Sequence, residues 1–182
     1  MKSIAQFRKT PGNLDLNGAF DVLFPLGVKL TFSGAPFRHA HQGKMDGRPP
    51  YRVKCATEQS GACEIEVPCQ DFGTPTHEDM LAGVEAAIDA AFAGKPVFAG
   101  CAGGIGRTGT FLAVVLKALN AEVVGFEHVP LPWWEKVRIV YLKFAVETKG
   151  QKDLIEDIDV SAIRRRIKWL WAKAVFRKMM GR

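Results

Sequence analysis

Residues 97–119 read VFAGCAGGIGRTGTFLAVVLKAL: a short apolar run, a turn crowded with glycine, then a helix-like stretch. Val97 to Ala99 follow Gly94-Lys95-Pro96, a helix-stop and turn signal, and predict a short buried strand. From Thr108 onward Phe111, Leu112, Val115, Leu116 and Leu119 recur at spacings of three and four, which predicts a helix with a wide apolar face. Strand, glycine-rich loop and helix in this order aim backbone N–H groups and a helix N-terminus at one point, so the turn is built to hold an anion.

Two kinds of anion site fit such a turn. Gly104-Ile105-Gly106-Arg107-Thr108-Gly109 matches the dinucleotide pattern G-x-G-x-x-G. That reading expects an acidic ribose partner about 20 positions on at the end of a second strand, and Glu122 and Glu127 are misplaced for it. A Walker loop fails as well, because no Gly-x4-Gly-Lys-Ser/Thr spacing exists here. The second reading takes Cys101 and Arg107 together, as Cys, five residues, Arg, Thr. A loop of that length wraps one tetrahedral oxyanion. The amides of Ala102, Gly103, Gly104, Ile105, Gly106 and Arg107 point inward, the Arg107 fork takes two oxygens, and the sulfur sits beneath the phosphorus. The small residues at 102, 103, 104 and 106 let the backbone close that tightly. The same dipoles favour the thiolate over the thiol, so Cys101 is expected to be an activated nucleophile. This second reading uses every unusual residue in the turn.

The loop Cys101-Ala-Gly-Gly-Ile-Gly-Arg-Thr-Gly109 resembles the signature loop of the cysteine-dependent protein tyrosine and dual-specificity phosphatases. The resemblance implies attack of a thiolate on phosphorus, a phosphocysteine intermediate, and its hydrolysis by water. It also implies that Thr108 stabilises the thiolate as it leaves. The family usually has His immediately before the cysteine; here that position is Gly100.

Thiolate attack needs a proton for the departing oxygen. In VPCQDFGTPTHEDM, residues 67–80, Gly73 and Pro75 mark a loop, and Thr76 with Asp79 three residues later forms a capping-box pattern that starts a helix. Asp71 therefore sits on a loop just before a helix, thirty positions ahead of Cys101. A turn Asp is the commonest fate of such a residue, but the Asp-Phe-Gly-x-Pro run is similar to the phosphatase loop that supplies the general acid. The resemblance extends to VRIVYLKFAVETKGQ, residues 137–151, where the family segment ends Glu-Thr-x-x-Gln. It gives Gln151 the role of orienting the attacking water, Glu147 that of buttressing it, and Arg138 that of a structural brace. No metal or other cofactor is implied.

The chain has 182 residues, enough for one domain with a sizeable core, 47% hydrophobic residues and 24% charged ones. No stretch reaches the roughly 18 apolar residues of a membrane span, and MKSIAQFRKTPGN lacks an apolar signal core, so a cytoplasmic location is expected. The four cysteines fit neither a disulfide framework nor a zinc site. Cys69, two residues before Asp71, is placed to approach Cys101 and to form a reversible disulfide with it.

The net charge of +6 is unevenly placed. Residues 161–182 hold eight basic groups and no acidic one, which leaves 17 basic and 19 acidic groups in the first 160 residues. A phosphatase domain over 1–160 and a basic helix over 161–182, packed on the same domain, are the expected organisation. On a helical wheel Ile163, Ile167, Leu170, Trp171 and Ala174 share one face; Trp169, Phe176 and Met180 fall opposite, among Arg and Lys. Such a helix suits the surface of the core, and equally an anionic membrane surface or an acidic partner. No recognisable nucleic-acid motif accompanies the charge.

The remaining pattern is strand-like over 20–37, YRVKCAT and CEIEVPC, helical over 76–93, and helical again from Pro132 with Trp133 and Trp134 as core or lid residues. His39 and His41 lie in a polar loop that is placed to rim the phosphate pocket. The expected fold is α/β, a central, mostly parallel sheet flanked by helices, of the protein-tyrosine-phosphatase type and dual-specificity size. The expected substrate is a phosphorylated protein or peptide, phosphotyrosine first and phosphoserine or phosphothreonine with it. An RNA 5′-triphosphatase, a phosphoinositide phosphatase and a non-catalytic phosphoprotein-binding pseudophosphatase are the alternatives of the same loop; a dinucleotide-binding protein is the remote one.

Overall fold

The computed structural model describes residues 1–7, 19–40, 45, 47–123 and 146–181. Seven strands form one sheet: β1 (Ser3–Phe7), β2 (Ala19–Phe24), β3 (Val28–Pro36), β4 (Tyr51–Lys54), β5 (Ile65–Glu66), β6 (Val97–Cys101) and β7 (Ala121–Val123), in the order β5-β4-β6-β3-β2-β1-β7. Among the described residues four α-helices flank it: α1 (His77–Phe92), α2 (Gly106–Ala118), α3 (Lys149–Asp157) and α4 (Ser161–Met179).

The sheet is mixed. The β5-β4-β6-β3 half is parallel, as is the β1–β7 pair, whereas β2 runs antiparallel to both β1 and β3. The antiparallel part arises because β2 and β3 are joined by the three-residue turn Pro25–Gly27, too short for the crossover that a parallel pair needs. The inner strand β1 and the edge strand β7 are too short to have left a period-2 signal in the sequence, and they extend the expected fold beyond β2. Phe20 on β2 stacks on Phe32 of β3 with ring centroids 5.5 Å apart, fixing the register of the antiparallel half.

The opening stretch folds as its pattern predicts. All five residues of β6 are buried between β3 and β4. In α2 every residue except Lys117 is buried, Phe111, Leu112, Val115 and Leu116 completely or nearly so. Thr76 caps α1: its Oγ1 accepts from the Asp79 N–H at 3.0 Å and donates to the Asp79 carboxylate at 2.7 Å. The helix proposed from Pro132, with Trp133, Trp134 and Arg138, lies outside the described residues, as does His41.

Helix α4 packs on α1, with Ile163 and Ile167 buried and Leu170, Trp171 and Ala174 against the core, the face expected from the wheel. Arg166 ion-pairs with Asp89 and Glu85 of α1. What positions the site is the parallel half: β3, β4, β5 and β6 all end on one edge of the sheet, and their loops converge there. In open α/β sheets that carboxyl edge is where ligands bind.

Candidate active site

Residues 101–105 leave the carboxyl end of β6 and enter α2 at Gly106. The loop is held from the β3 side by backbone. A Cβ on Gly104, whose φ is +70°, would lie 2.3 Å from the Pro36 nitrogen and 2.4 Å from the Ala35 carbonyl carbon. A Cβ on Gly100 would lie 2.8 Å from the Phe37 Cα and 2.9 Å from the Ala35 oxygen. Both positions therefore admit only glycine. This explains the missing family His: the Phe37–His39 turn passes too close to residue 100 for any side chain. Main-chain packing takes over the ordering of this flank, helped by the Cys55 N–H, which donates to the Gly100 oxygen at 2.7 Å.

The other flank is polar. Arg107 is only 5% exposed and its guanidinium is ringed by acceptors. Nη1 donates to Glu58 Oε2 at 2.8 Å and to the Cys69 carbonyl at 3.0 Å; Nη2 donates to Glu58 Oε1 at 2.6 Å and pairs with Asp71 Oδ1 at 2.9 Å. The end-on fork belongs to Glu58. Nη2 is thus shared between Glu58 and Asp71. Burial, the largest single influence, disfavours the cation, but the Glu58 bond and the surrounding negative groups together outweigh it and hold Arg107 above its ordinary range. The same bond holds Glu58 below the usual carboxylate range. Asp71 comes from the loop that follows β5, and Glu58 from the turn that follows β4, so two consecutive, parallel-paired strands deliver both carboxylates to one guanidinium.

Glu58 is the site residue that sequence reasoning missed. A buried arginine needs a counter-charge, and an acidic residue four positions past a strand end was the available signal.

Cys101 is buried, 2% exposed. The register pairing Val53 with Ala99 and Lys54 with Gly100 makes Cys55 its neighbour on the next rung. Burial, then the neighbouring thiols Cys101 and Cys69, push Cys55 well up; burial pushes Cys69 up to about 11 against the pull of Arg107, and Cys63 upward too. These three stay protonated at neutral pH and are poorly suited to nucleophilic work.

Thr108 Oγ1 is buried without a hydrogen-bond partner among the described residues. The next hydroxyl along, Thr110 Oγ1, donates to the Gly106 carbonyl at 2.7 Å. The first-turn amides of α2 lie outside the helical ladder, and that of Gly106 already meets an anion, the Glu147 carboxylate, at 3.1 Å. Gln151, fully buried, accepts from the Glu147 N–H at 2.8 Å and donates to the Gly73 carbonyl at 3.2 Å, while its own N–H meets Thr148 Oγ1 at 3.2 Å in a capping box. It therefore ties the start of α3 to the Asp71 loop and the Arg107 loop. Val146, a β-branched residue at φ +68°, carries the chain into this arrangement at a cost in backbone strain. A cavity of about 380 Å³, lined in part by Thr57, Cys69, Gly73 and Thr76, opens beside the cluster.

The structure thus brings Arg107, Asp71, Glu147, Gln151 and the loop Ala102, Gly103, Gly104, Ile105 and Gly106 to one edge of the sheet together with Cys101 and Thr108. His39 lies in the turn that covers Gly100.

Comparison with known proteins finds likenesses over part of the chain. Residues 52–120, the segment from β4 through α2, match the family model described as polymorphic toxin system, DSP-PTPase phosphatase. Over that segment the chain is similar to the dual-specificity protein tyrosine phosphatases. Two uncharacterized proteins of Methanocaldococcus jannaschii are similar over 91 residues: one is 40% identical, covering 50% of this chain and 56% of its own length, the other 38% identical, covering 50% and 52%. The chain thus spans about half the length of the curated relatives it matches. Among solved structures, that of Tk-PTP in the active form is similar over 70% of this chain and 89% of its own, with a TM-score of 0.49 and 22% identity.

Proposed function

We propose that the protein is a cysteine-dependent phosphatase that hydrolyses phosphotyrosine, and phosphoserine or phosphothreonine with it, through a phosphocysteine. The observation that carries this reading is the 2.9 Å contact between Asp71 and Arg107, which sets the candidate general acid against the candidate phosphate binder.

The phosphoryl group takes the place of Asp71 against Arg107 and meets the amides of residues 102–107, the Gly106 N–H exchanging Glu147 for it, and Asp71 moves from Nη2 to the leaving oxygen. Cys101 Sγ forms a bond to phosphorus as the phosphorus–oxygen bond breaks, and protonated Asp71 gives its proton to the departing oxygen. In the second half water attacks phosphorus, Asp71 takes its proton, and the sulfur departs as a thiolate that accepts from the Thr108 hydroxyl, now without a partner. Gln151 has one N–H left after bonding Gly73, and that N–H orients the water. Glu58 holds the guanidinium in place from behind throughout. Phe72, exposed beside Asp71, offers an apolar face to a phenyl ring at the mouth, which favours phosphotyrosine.

Hydrolysis of p-nitrophenyl phosphate tests the reading. Cys101→Ser and Arg107→Ala each abolish it, Asp71→Asn slows it by about 10²- to 10⁴-fold, and EDTA leaves it unchanged. Full activity in Cys101→Ser overturns the scheme. Retention of a phosphopeptide without release of phosphate replaces it with a binding role.

A further inference from the structure

Helix α4 carries apolar side chains on two opposite faces, and only one of them is used by the core. The outward stripe runs Trp169, Phe176 and Met180, exposed by 58%, 60% and 60%. Arg165 and Lys168 flank it on one side, Lys173 and Arg177 on the other, all exposed, with Lys173 Nζ over the Trp169 ring at 4.8 Å.

The other basic residues of the helix do different work. Arg164 donates to the Lys117 carbonyl at 2.7 Å, Arg166 pairs with α1, and Lys178 reaches the Leu26 and Gly27 carbonyls at 3.3 and 3.2 Å. Together with Trp171, whose Nε1 donates to the Pro25 carbonyl at 3.2 Å, they clamp the helix to the domain. Four cations and four large apolar side chains, Met179 with the three of the stripe, are therefore left facing solvent from a rigidly held helix.

We propose that α4 seats the protein on an anionic membrane surface, lying in the plane of the interface with Trp169, Phe176 and Met180 inserted. The charge pattern selects this occupant. Residues 161–182 hold eight basic groups and no acidic one, so the surface they meet must be anionic on both flanks of an apolar strip. A bilayer supplies mobile anionic headgroups and an apolar interior without any matching shape. No described helix is long and apolar enough to cross a membrane, so the helix lies on the bilayer rather than through it.

The anchors also fix the orientation. Lys117 is ten residues beyond Arg107 on α2, about 15 Å along the helix. The Pro25–Gly27 turn opens β3, whose last residue, Pro36, pairs with Cys101, about 26 Å away along the strand. Asp89 lies in the last turns of α1, far from its Thr76 cap. Every clamp is at the end of the sheet opposite the Cys101 loop. A domain seated on α4 turns that loop away from the lipid, toward substrates presented from the aqueous side.

Co-sedimentation with vesicles tests this. The chain pellets with phosphatidylcholine vesicles containing 30 mol% phosphatidylserine, is released by 0.5 M salt, and does not pellet with phosphatidylcholine alone (about 30% anionic lipid and half-molar salt are chosen to bracket screening). Trp169→Ala/Phe176→Ala and, separately, Lys173→Glu/Arg177→Glu each weaken binding by about tenfold or more with unchanged circular dichroism and melting. Turnover of p-nitrophenyl phosphate by vesicle-bound protein equals that of free protein. Failure to pellet with anionic vesicles, equal pelleting of the variants, or a dimer in size-exclusion chromatography that Phe176→Ala dissolves overturns the membrane assignment. Inhibition on binding overturns the orientation. Binding is read without reference to activity, so an inactive Cys101 site leaves the vesicle result interpretable.

Discussion

The two flanks of the Cys101 loop are built on opposite principles. On the β3 side, residues 100 and 104 meet main chain, with would-be Cβ atoms 2.3–2.9 Å from backbone atoms of residues 35–37. On the α2 side, Gly106 and Arg107 meet polar side chains: Glu147, Glu58 and Asp71, with Gln151 behind Glu147 in the capping box. Backbone packed on backbone has no alternative arrangement, so the first flank fixes where the sulfur sits. Carboxylates around a guanidinium can exchange partners, so in the proposed function the second flank is the one that makes room for an incoming anion. Rigidity and exchange are separated by one short loop.

The sharpest way to break this contrast is to add one carbon to the rigid flank. Gly100→Ala puts a methyl group 2.8 Å from the Phe37 Cα and 2.9 Å from the Ala35 oxygen, and neither is the movable end of a side chain. Overpacking of this kind costs about 1–3 kcal/mol and more where backbone must shift. The urea midpoint therefore falls clearly, and Gly100→His, which restores the family residue, falls further and loses activity rather than gaining it. A Gly100→His protein of wild-type stability would show that the turn over residue 100 is pliable and the contrast false.

On the polar flank the expected effects are smaller and differ in sign between stability and turnover. Thr108 buries a hydroxyl without a partner, which costs desolvation and returns nothing in the resting protein. Thr108→Val removes that burden at nearly constant volume, so the melting temperature is unchanged or rises. If the hydroxyl serves the departing thiolate, hydrolysis of p-nitrophenyl phosphate falls by about 10- to 100-fold, the worth of a hydrogen bond to a charged group, with burst kinetics showing accumulated phosphocysteine. Loss of stability with unchanged turnover makes Thr108 a packing residue.

The sequence made some of this legible and concealed the rest for a physical reason. The strand, loop and helix of 97–118 rest on local periodicity and glycine placement, and they are where the pattern put them. Thr76 with Asp79, and the two faces of α4, are equally local signals. Glu58 and the clash at Gly100 are contacts across 49 and 63 positions, set by which strands lie side by side, and no local pattern reports that. The antiparallel β2 belongs with them: its direction follows from the brevity of the 25–27 turn, but its place between β1 and β3 is a property of the whole sheet. Asp71 was legible through its loop; that it reaches Arg107 was not.

The smallest effect sharpens the contrast most, because it isolates the exchangeable charge. The Arg107 bond holds Glu58 below its ordinary value of 4.5, so the ionised carboxylate is favoured in the folded state. A depressed carboxylate contributes stability that is fully present above its unfolded value and is lost as pH falls through the lower folded value. The stability difference between the wild type and Glu58→Gln is therefore steady from pH 6 to 8, about 1 kcal/mol or less because the Glu58 side chain is 42% exposed and screened by solvent, and it shrinks below about pH 4.5. Denaturant titrations at pH 3.5 and pH 7 measure it. A difference that is the same at both values means that Glu58 holds Arg107 by shape rather than charge, and the α2 flank is then as fixed as its neighbour.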